Sequence, residues 1–322
     1  MNYGAAIMKS DLRFWNGKKV LVTGATGFLG GWLCRELLVQ NARVAAVSTK
    51  KNRSTWKYHK IGKKNASLSK LDVSNSDAVF RFFKKTKPDF CFHLAGISSP
   101  AYCDQHPLEA FQTNVAGSWN VLQACLKQKV PVLLVSTANV YGDCRKGVFS
   151  ENSPVQVTDT YALTKILMES AAKGLCKTHG LRASIVRLTT LFGPVDLGFN
   201  RLVPKNTLSF IHHRQNYNNP RYLRDFLFVS DAVNGLLLAG KKTGFHCEIF
   251  NLSSEKAFFG KAVAKAIECM LQKEPVVLRP VKNCSISSRK ARQALGWKTK
   301  KSISDALAET IGWYVKNSRA LR

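Results

Sequence analysis

Tyr161-Ala-Leu-Thr-Lys165 sets a phenol and an ammonium four residues apart, the spacing of neighbours on one face of a helix. Among the eight tyrosines, this one alone has lysine four residues on. A nearby cation favours the phenolate, so a group that ordinarily titrates near pKa ~10 is expected to fall towards neutrality and act as a general base. Taken alone, such a pair is commoner as a surface contact.

A second constellation changes that weighting. Gly24-Ala-Thr-Gly27-Phe-Leu-Gly30 follows an apolar run, Lys19 to Thr23, and opens an amphipathic stretch, Phe28 to Val39. Glycine is needed where the backbone takes positive φ, where it approaches a pyrophosphate, and where helix packs on strand. The helix N-terminus then offers free N–H groups and the positive end of the dipole. In that setting the loop predicts dinucleotide binding. At the end of the next strand an Asp or Glu ordinarily accepts from the adenosine ribose. Ser48 stands there instead, followed by Lys50, Lys51 and Arg53, a composition suited to a 2′-phosphate. NADP is therefore favoured over NAD, with NAD left open. Asp72, after a candidate third strand, is expected to meet the adenine, and His93-Leu-Ala-Gly96 to let backbone pass close to the cofactor.

These residues require a particular frame. Strands are predicted at Lys19 to Thr23, Arg43 to Val47, Phe90 to Leu94, Val132 to Ser136 and Ala183 to Leu188, with helices at 28–39, 109–128 and 161–178. Alternation of this kind predicts an α/β fold, a Rossmann-type doubly wound parallel sheet whose ligands lie beyond the carboxyl ends of its strands. From Phe192 the pattern breaks into Gly193-Pro194, Gly198 and Pro204. Residues 1–191 are accordingly assigned to an NAD(P)-binding domain, to which 229–254 returns, and 192–322 mainly to a smaller substrate-binding lobe. The closing helix, Ser302 to Lys316, is expected to rejoin the main body or cap that lobe.

Together, TGATGFLG, HLAG, Asn114, STANVYG at 136–142, YALTK, the Arg224-Asp225-Phe226 stretch and the terminal Leu295-Gly-Trp297 resemble the extended short-chain dehydrogenase/reductase family of nucleotide-sugar epimerases and dehydratases. The resemblance runs from about Phe14 to Tyr314. Phe14-Trp-Asn-Gly17, Gly30-Gly-Trp32 and the 193–204 segment are most similar to the CDP-glucose 4,6-dehydratase-like branch.

The resemblance implies that Tyr161 takes a proton from a sugar hydroxyl, usually at C4, while a nicotinamide accepts hydride from that carbon. Lys165 would hold the nicotinamide ribose, and Thr137 would hydrogen-bond the same sugar oxygen. It implies a cofactor site of Gly24, Thr26, Gly27, Phe28, Leu29, Gly30, Ser48, Lys50, Asp72, Val73, Leu94, Ala95, Gly96 and Asn114, with Tyr161 and Lys165. Ser98, Thr137, Asn139, Thr190, Asn200, Arg201 and Arg224 would face a nucleotide-diphosphate sugar, Arg224 on its diphosphate. Thr190 stands where many members have a substrate-contacting Asn.

One departure bears on the reaction. After the Thr, the 4,6-dehydratases carry an acid and a second titratable group to expel water, and here Ala138 and Asn139 occupy those places. Neither exchanges a proton. An epimerase or ketoreductase needs only Thr137, Tyr161, Lys165 and the nicotinamide, and is the favoured activity. A 4,6-dehydratase is the alternative, and a non-catalytic dinucleotide-binding scaffold the alternative of another class. Asp104, Glu109 and Glu151 are the acids nearest the motifs.

Composition bounds the rest. The chain has 322 residues, 45% apolar, with 49 Lys and Arg against 20 Asp and Glu, a net charge of +29. The cations are spread along the chain and no nucleic-acid-binding signature is present, so an anionic small-molecule site is preferred to a nucleic-acid partner. Nine cysteines without a CxxC pair read as reduced core thiols, and His93 and His212-His213 lack metal spacing, so no metal is expected. No apolar run of transmembrane length and no basic-then-apolar leader occurs, so a cytoplasmic enzyme without a membrane partner is expected. Family likeness implies a homodimer through the helices at 109–128 and 161–178.

Overall fold

The computed structural model describes residues 14–49, 54–62, 66–143, 147–213 and 222–321. Lys50, Lys51 and Arg53 lie outside the described residues, as does Cys144. In chain order the elements are β1 Lys19–Thr23, α1 Phe28–Val39, β2 Arg43–Ser48, α2 Ser54–His59, β3 Ala66–Lys70, α3 Ser76–Thr86, β4 Phe90–His93, α4 Pro100–Gln105, α5 Pro107–Phe111, α6 Gly117–Lys127, β5 Val132–Thr137 and β6 Val148–Phe149. There follow α7 Thr160–His179, β7 Ala183–Leu188, β8 Thr190–Phe192, α8 Leu202–Ile211, β9 Leu223–Phe228, α9 Val229–Lys241, β10 Glu248–Leu252, β11 Ala257–Phe259, α10 Gly260–Leu271, β12 Ser285–Ile286, α11 Arg289–Leu295 and α12 Ile303–Asn317.

Seven strands form one sheet in the order β10-β7-β5-β4-β1-β2-β3, every pair parallel. The order reverses at β1, where α/β sheets open a crevice. Helices cover both faces, which is why β1 is apolar at consecutive positions and not at alternate ones. Val20 and Val22 join Leu33 and Leu37 of α1 and Leu236 of α9 in one cluster. Leu21, between them, joins Val79 and Phe83 of α3, Leu122 of α6 and Met168 of α7 in another.

Two sequence expectations shift in detail, and a third resolves to one of its two alternatives. The fourth strand ends at His93, not Leu94, because the N–H groups of Leu94 and Ala95 leave the ladder for the Thr23 hydroxyl, at 3.1 and 3.0 Å. The helix expected over 109–128 is α5 and α6 joined through a π-helical turn at Gln112–Ala116, a local widening frequent at functional sites. The closing helix caps the smaller lobe: Ala306, Leu307 and Ile311 of α12 pack with Phe192, Phe226 and Phe228.

A three-stranded sheet, β11-β9-β8, carries that lobe. Asp225 on β9 ties it to the ends of β7 and β10. Its buried carboxylate accepts from the hydroxyls of Thr189 (3.2 Å), Ser253 (2.7 Å) and Ser254 (3.0 Å) and from the Ser254 N–H (2.9 Å). Burial raises its pKa, and those donors pull the other way.

The β1–α1 junction is the tightest point of the frame. A Cβ on Gly30 would stand 2.2 Å from the Gly24 carbonyl oxygen and 2.9 Å from the Ala25 Cα, backbone atoms that cannot swing aside. Gly30→Ala is expected to cost about 2 kcal/mol or more by overpacking, read as a lower urea midpoint with unchanged slope. An unchanged midpoint would mean that the loop can open without cost.

Candidate active site

The glycine loop is built as a cradle. Gly24 has φ +66, and a Cβ there would lie 2.9 Å from the backbone of Leu94 and Ala95, so glycine is required on both counts. Gly27 caps α1 in extended conformation with no side chain bonded to the first-turn amides and no acid in the first turn. Free N–H groups and the positive dipole end therefore face outward together, a fit to a dinucleotide diphosphate. Phe28 and Leu29 open the helix. From behind, α2 braces the loop: the Thr55 hydroxyl donates to the Thr26 carbonyl at 2.9 Å and the Trp56 indole to the Ala25 carbonyl at 2.9 Å.

Around this cradle stand the other expected cofactor residues. Ser48, at the end of β2, shares a hydrogen bond with the Thr26 hydroxyl at 2.7 Å. Asp72 is exposed and accepts from the amide and hydroxyl of Ser74 at 2.9 and 2.8 Å. Val73 is buried against Gly117, where a Cβ would meet its methyl at 2.7 Å. Lys50 lies outside the described residues.

His93 belongs to a directional hydrogen-bond chain. Because the Thr23 oxygen already accepts from Leu94 and Ala95, its hydroxyl donates to His93 Nδ1 at 2.8 Å. Nε2–H then donates to Ser118 Oγ at 2.9 Å, and Ser118 donates to the Asn114 carbonyl at 2.5 Å. Burial, with the Lys165 charge, lowers the His93 pKa to about 3, so the ring stays neutral in this tautomer.

Asn114 sits within the π-turn, fully buried. Its amide clamps Ile97 on both sides, accepting from the N–H at 2.7 Å and donating to the carbonyl at 3.0 Å, and reaches Thr164 of α7 at 3.0 Å. Gly96 is pressed against the same amide and the Lys165 ammonium: a Cβ would meet them at 2.9 and 3.5 Å.

Tyr161, Lys165 and Thr137 converge where β5 ends. Asp159 caps α7, accepting from the Ala162 N–H at 2.7 Å, and Asp104 accepts from Thr160 at 2.9 Å, which together fix the first turn. Thr137 lies near enough to the Tyr161 phenol to lower its pKa, and it accepts from the Asn139 N–H at 3.2 Å. Lys165 donates to the Val135 carbonyl at 3.0 Å and lies 6.0 Å from the Tyr161 ring centroid. The expected fall of the phenol pKa is not found in this state. Burial raises it to about 12, against the pull of Thr137 and Arg201. Lys165 is lowered to about 8 by burial, opposed by Glu169 and Cys103.

The expected substrate residues divide. Arg201 joins the site: its guanidinium stands 5.8 Å from the Phe28 ring centroid, acts on the phenol, and is held by Asp196 at 2.8 Å. Thr190 lies on β8 opposite Phe226, and Ser98 and Asn200 are exposed on loops. Arg224 is exposed on β9, donating to the Leu223 carbonyl at 2.9 Å and stacked over Tyr222.

Sequence reasoning missed a buried network behind the site. Glu169 and Arg187 pair with 2% and 1% exposure, and Ser136, Tyr141 and Asn251 join them. The signals were present: Glu169 follows Lys165 by four residues, and Arg187 is a lone charge in the apolar run Ala183–Leu188.

Comparison with known proteins agrees with this geometry. The profile of the NAD dependent epimerase/dehydratase family matches residues 20–253. A UDP-glucose 4-epimerase of Cyamopsis tetragonoloba is 26% identical over 339 residues, covering 94% of this chain and 96% of that protein. Two solved structures share the fold. A UDP-glucose 4-epimerase of Thermotoga maritima, solved with UDP-glucose, has a TM-score of 0.83 at 24% identity over 93% of this chain and 99% of its own. A dTDP-glucose 4,6-dehydratase of Streptomyces venezuelae, solved with NAD, has a TM-score of 0.84 at 22% identity over 94% and 100%. With more than half its length matched by the family profile, the chain belongs to the NAD dependent epimerase/dehydratase family, a family of enzymes.

Proposed function

We propose that the enzyme moves a hydride at a hexose carbon, C4, of a nucleotide-diphosphate sugar, as an epimerase or ketoreductase. What supports this reading is the buried Tyr161 one helical turn from the buried Lys165, with Thr137 near enough to lower the phenol pKa and no proton-exchanging side chain at 138 or 139. A bound oxidised nicotinamide supplies the hydride acceptor and a positive ring. Once the positive nicotinamide and Lys165 offset the burial that raises the phenol, Tyr161 Oη would, as phenolate, take the proton of the sugar hydroxyl, Thr137 would hydrogen-bond that oxygen, and Lys165 would hold the ribose.

Dehydration would need further acids, and the three that the sequence sets near the motifs are already engaged. Asp104 holds the start of α7, Glu109 accepts from the Tyr102 hydroxyl at 2.8 Å, and Glu151 accepts from the Asn251 N–H at 2.7 Å. Incubation with UDP-, dTDP-, CDP- and GDP-hexoses should yield an isomer or a ketone/alcohol pair. A product lighter by one water would overturn the reading. In Tyr161→Phe, turnover should fall roughly a hundred-fold or more with cofactor affinity kept, and unchanged turnover would remove Tyr161 from the chemistry.

Within this NAD-dependent family, NADP is proposed as this chain's preferred cofactor. A serine and not an acid ends β2, and its hydroxyl is turned to Thr26. Calorimetric titration of stripped protein should give a lower Kd for NADP than for NAD, and the reverse order would make the cations after Ser48 mere surface.

A homodimer is proposed through α5, α6 and α7, where Leu108, Phe111, Trp119 and Leu163 are exposed. Such apolar exposure is a mark of contact surfaces. Sedimentation should show a dimer that Trp119→Asp dissociates, and a monomeric wild-type protein at micromolar concentration would exclude it.

A further inference from the structure

Two consecutive residues of β5 are gripped by two successive turns of α7, immediately before Thr137. Lys165 holds the Val135 carbonyl at 3.0 Å, and Glu169 accepts from the Ser136 hydroxyl at 2.6 Å. The Glu169 carboxylate is otherwise taken by Arg187, through Nε at 2.9 Å and Nη2 at 2.5 Å. Arg187 in turn donates to the Tyr141 hydroxyl at 2.7 Å, which fixes the turn that follows Thr137. An ion pair meant only to fasten α7 to β7 would need neither the serine nor a place one helical turn from Lys165.

We propose that Glu169 is a positioning residue of the active site, whose carboxylate keeps Lys165 cationic and, through Ser136, sets Thr137 against Tyr161. The inference rests on the role given above to Lys165. Buried at 6% exposure, Lys165 is desolvated, which favours its neutral form, and Glu169 opposes that loss. The other groups facing the ammonium are Tyr161 on α7, Cys103 on α4 and His93 on β4. His93 is neutral, so it adds no repelling charge. Facing the carboxylate are Arg187 on β7 and, at 4.0 Å, the half-exposed Lys173 on α7. A neutral residue at 169 would let Lys165 lose its proton at lower pH, and the phenolate would lose its cation in the same range.

The test is an NMR titration of the full chain labelled at lysine Cε, with the Lys165 signal assigned by its loss in Lys165→Met. In Glu169→Gln the Lys165 midpoint should fall by about one pH unit or more, the effect of removing a close opposite charge. Glu169→Asp, which keeps the charge, should stay close to wild type. Because Glu169→Gln strands the Arg187 charge in the core and is expected to fold poorly, the same titration is made in Glu169→Gln/Arg187→Gln, where the fall should recur. A merely structural ion pair would lower thermal stability and leave the midpoint where it is, and that result overturns the proposal. The titration needs no substrate. A shifted midpoint in protein that turns over no nucleotide sugar would uphold the role of Glu169 while defeating the proposed activity.

Discussion

The Thr23 hydroxyl holds together the place where this sheet changes direction. A parallel ladder satisfies backbone groups only while strands stay paired, and at the order reversal beside β1 the chain after β4 must leave it. Leu94 and Ala95 then present amides with no ladder partner, and buried unpaired amides cost about 1–3 kcal/mol each. Thr23 accepts both and donates its own hydrogen bond to His93. One side chain thus closes the amide accounting, sets the histidine tautomer, and through Ser118 reaches the π-turn that carries Asn114.

Charge burial is the second theme. Lys165, Glu169 and Arg187 are buried, at 6%, 2% and 1% exposure, where an isolated charge would be far costlier than a hydrogen bond. They are tolerated as a set. Arg187 donates to Glu169, Lys165 is held separately on the Val135 carbonyl, and the set terminates on backbone or hydroxyl groups of β5 and the turn beyond it. The same low dielectric raises the phenol of Tyr161 and lowers Lys165, opposite to what a solvent-exposed pair would do. Sequence spacing alone pointed to a depressed phenol because it counts the cation and not the desolvation.

The lobes meet through an equally compact device. Asp225 collects hydrogen bonds from residues that end β7 and follow β10, so β9 cannot slide relative to the main sheet. The neighbouring Arg224 is left facing outward on the same strand, a consequence of strand alternation.

Much of this was legible in the chain. Continuous apolar runs at 19–23 and 183–188, the glycines at 24, 27 and 30, and the four-residue step from Tyr161 to Lys165 specify elements whose physics is local: periodicity, turn conformation and helix-face spacing. The absence of proton-exchanging groups at 138 and 139 is likewise a property of the sequence. What only the tertiary structure decided is every fact that depends on burial or on partners far along the chain. That Glu169 meets Arg187 and Ser136, that Asp225 ties two sheets, that His93 stays neutral, and that Arg201 is held by Asp196 beside Phe28 are set by contacts between distant segments. A side chain's type states what it can donate, accept or titrate, but its neighbours decide the dielectric and the partner, and those exist only once the strands are side by side.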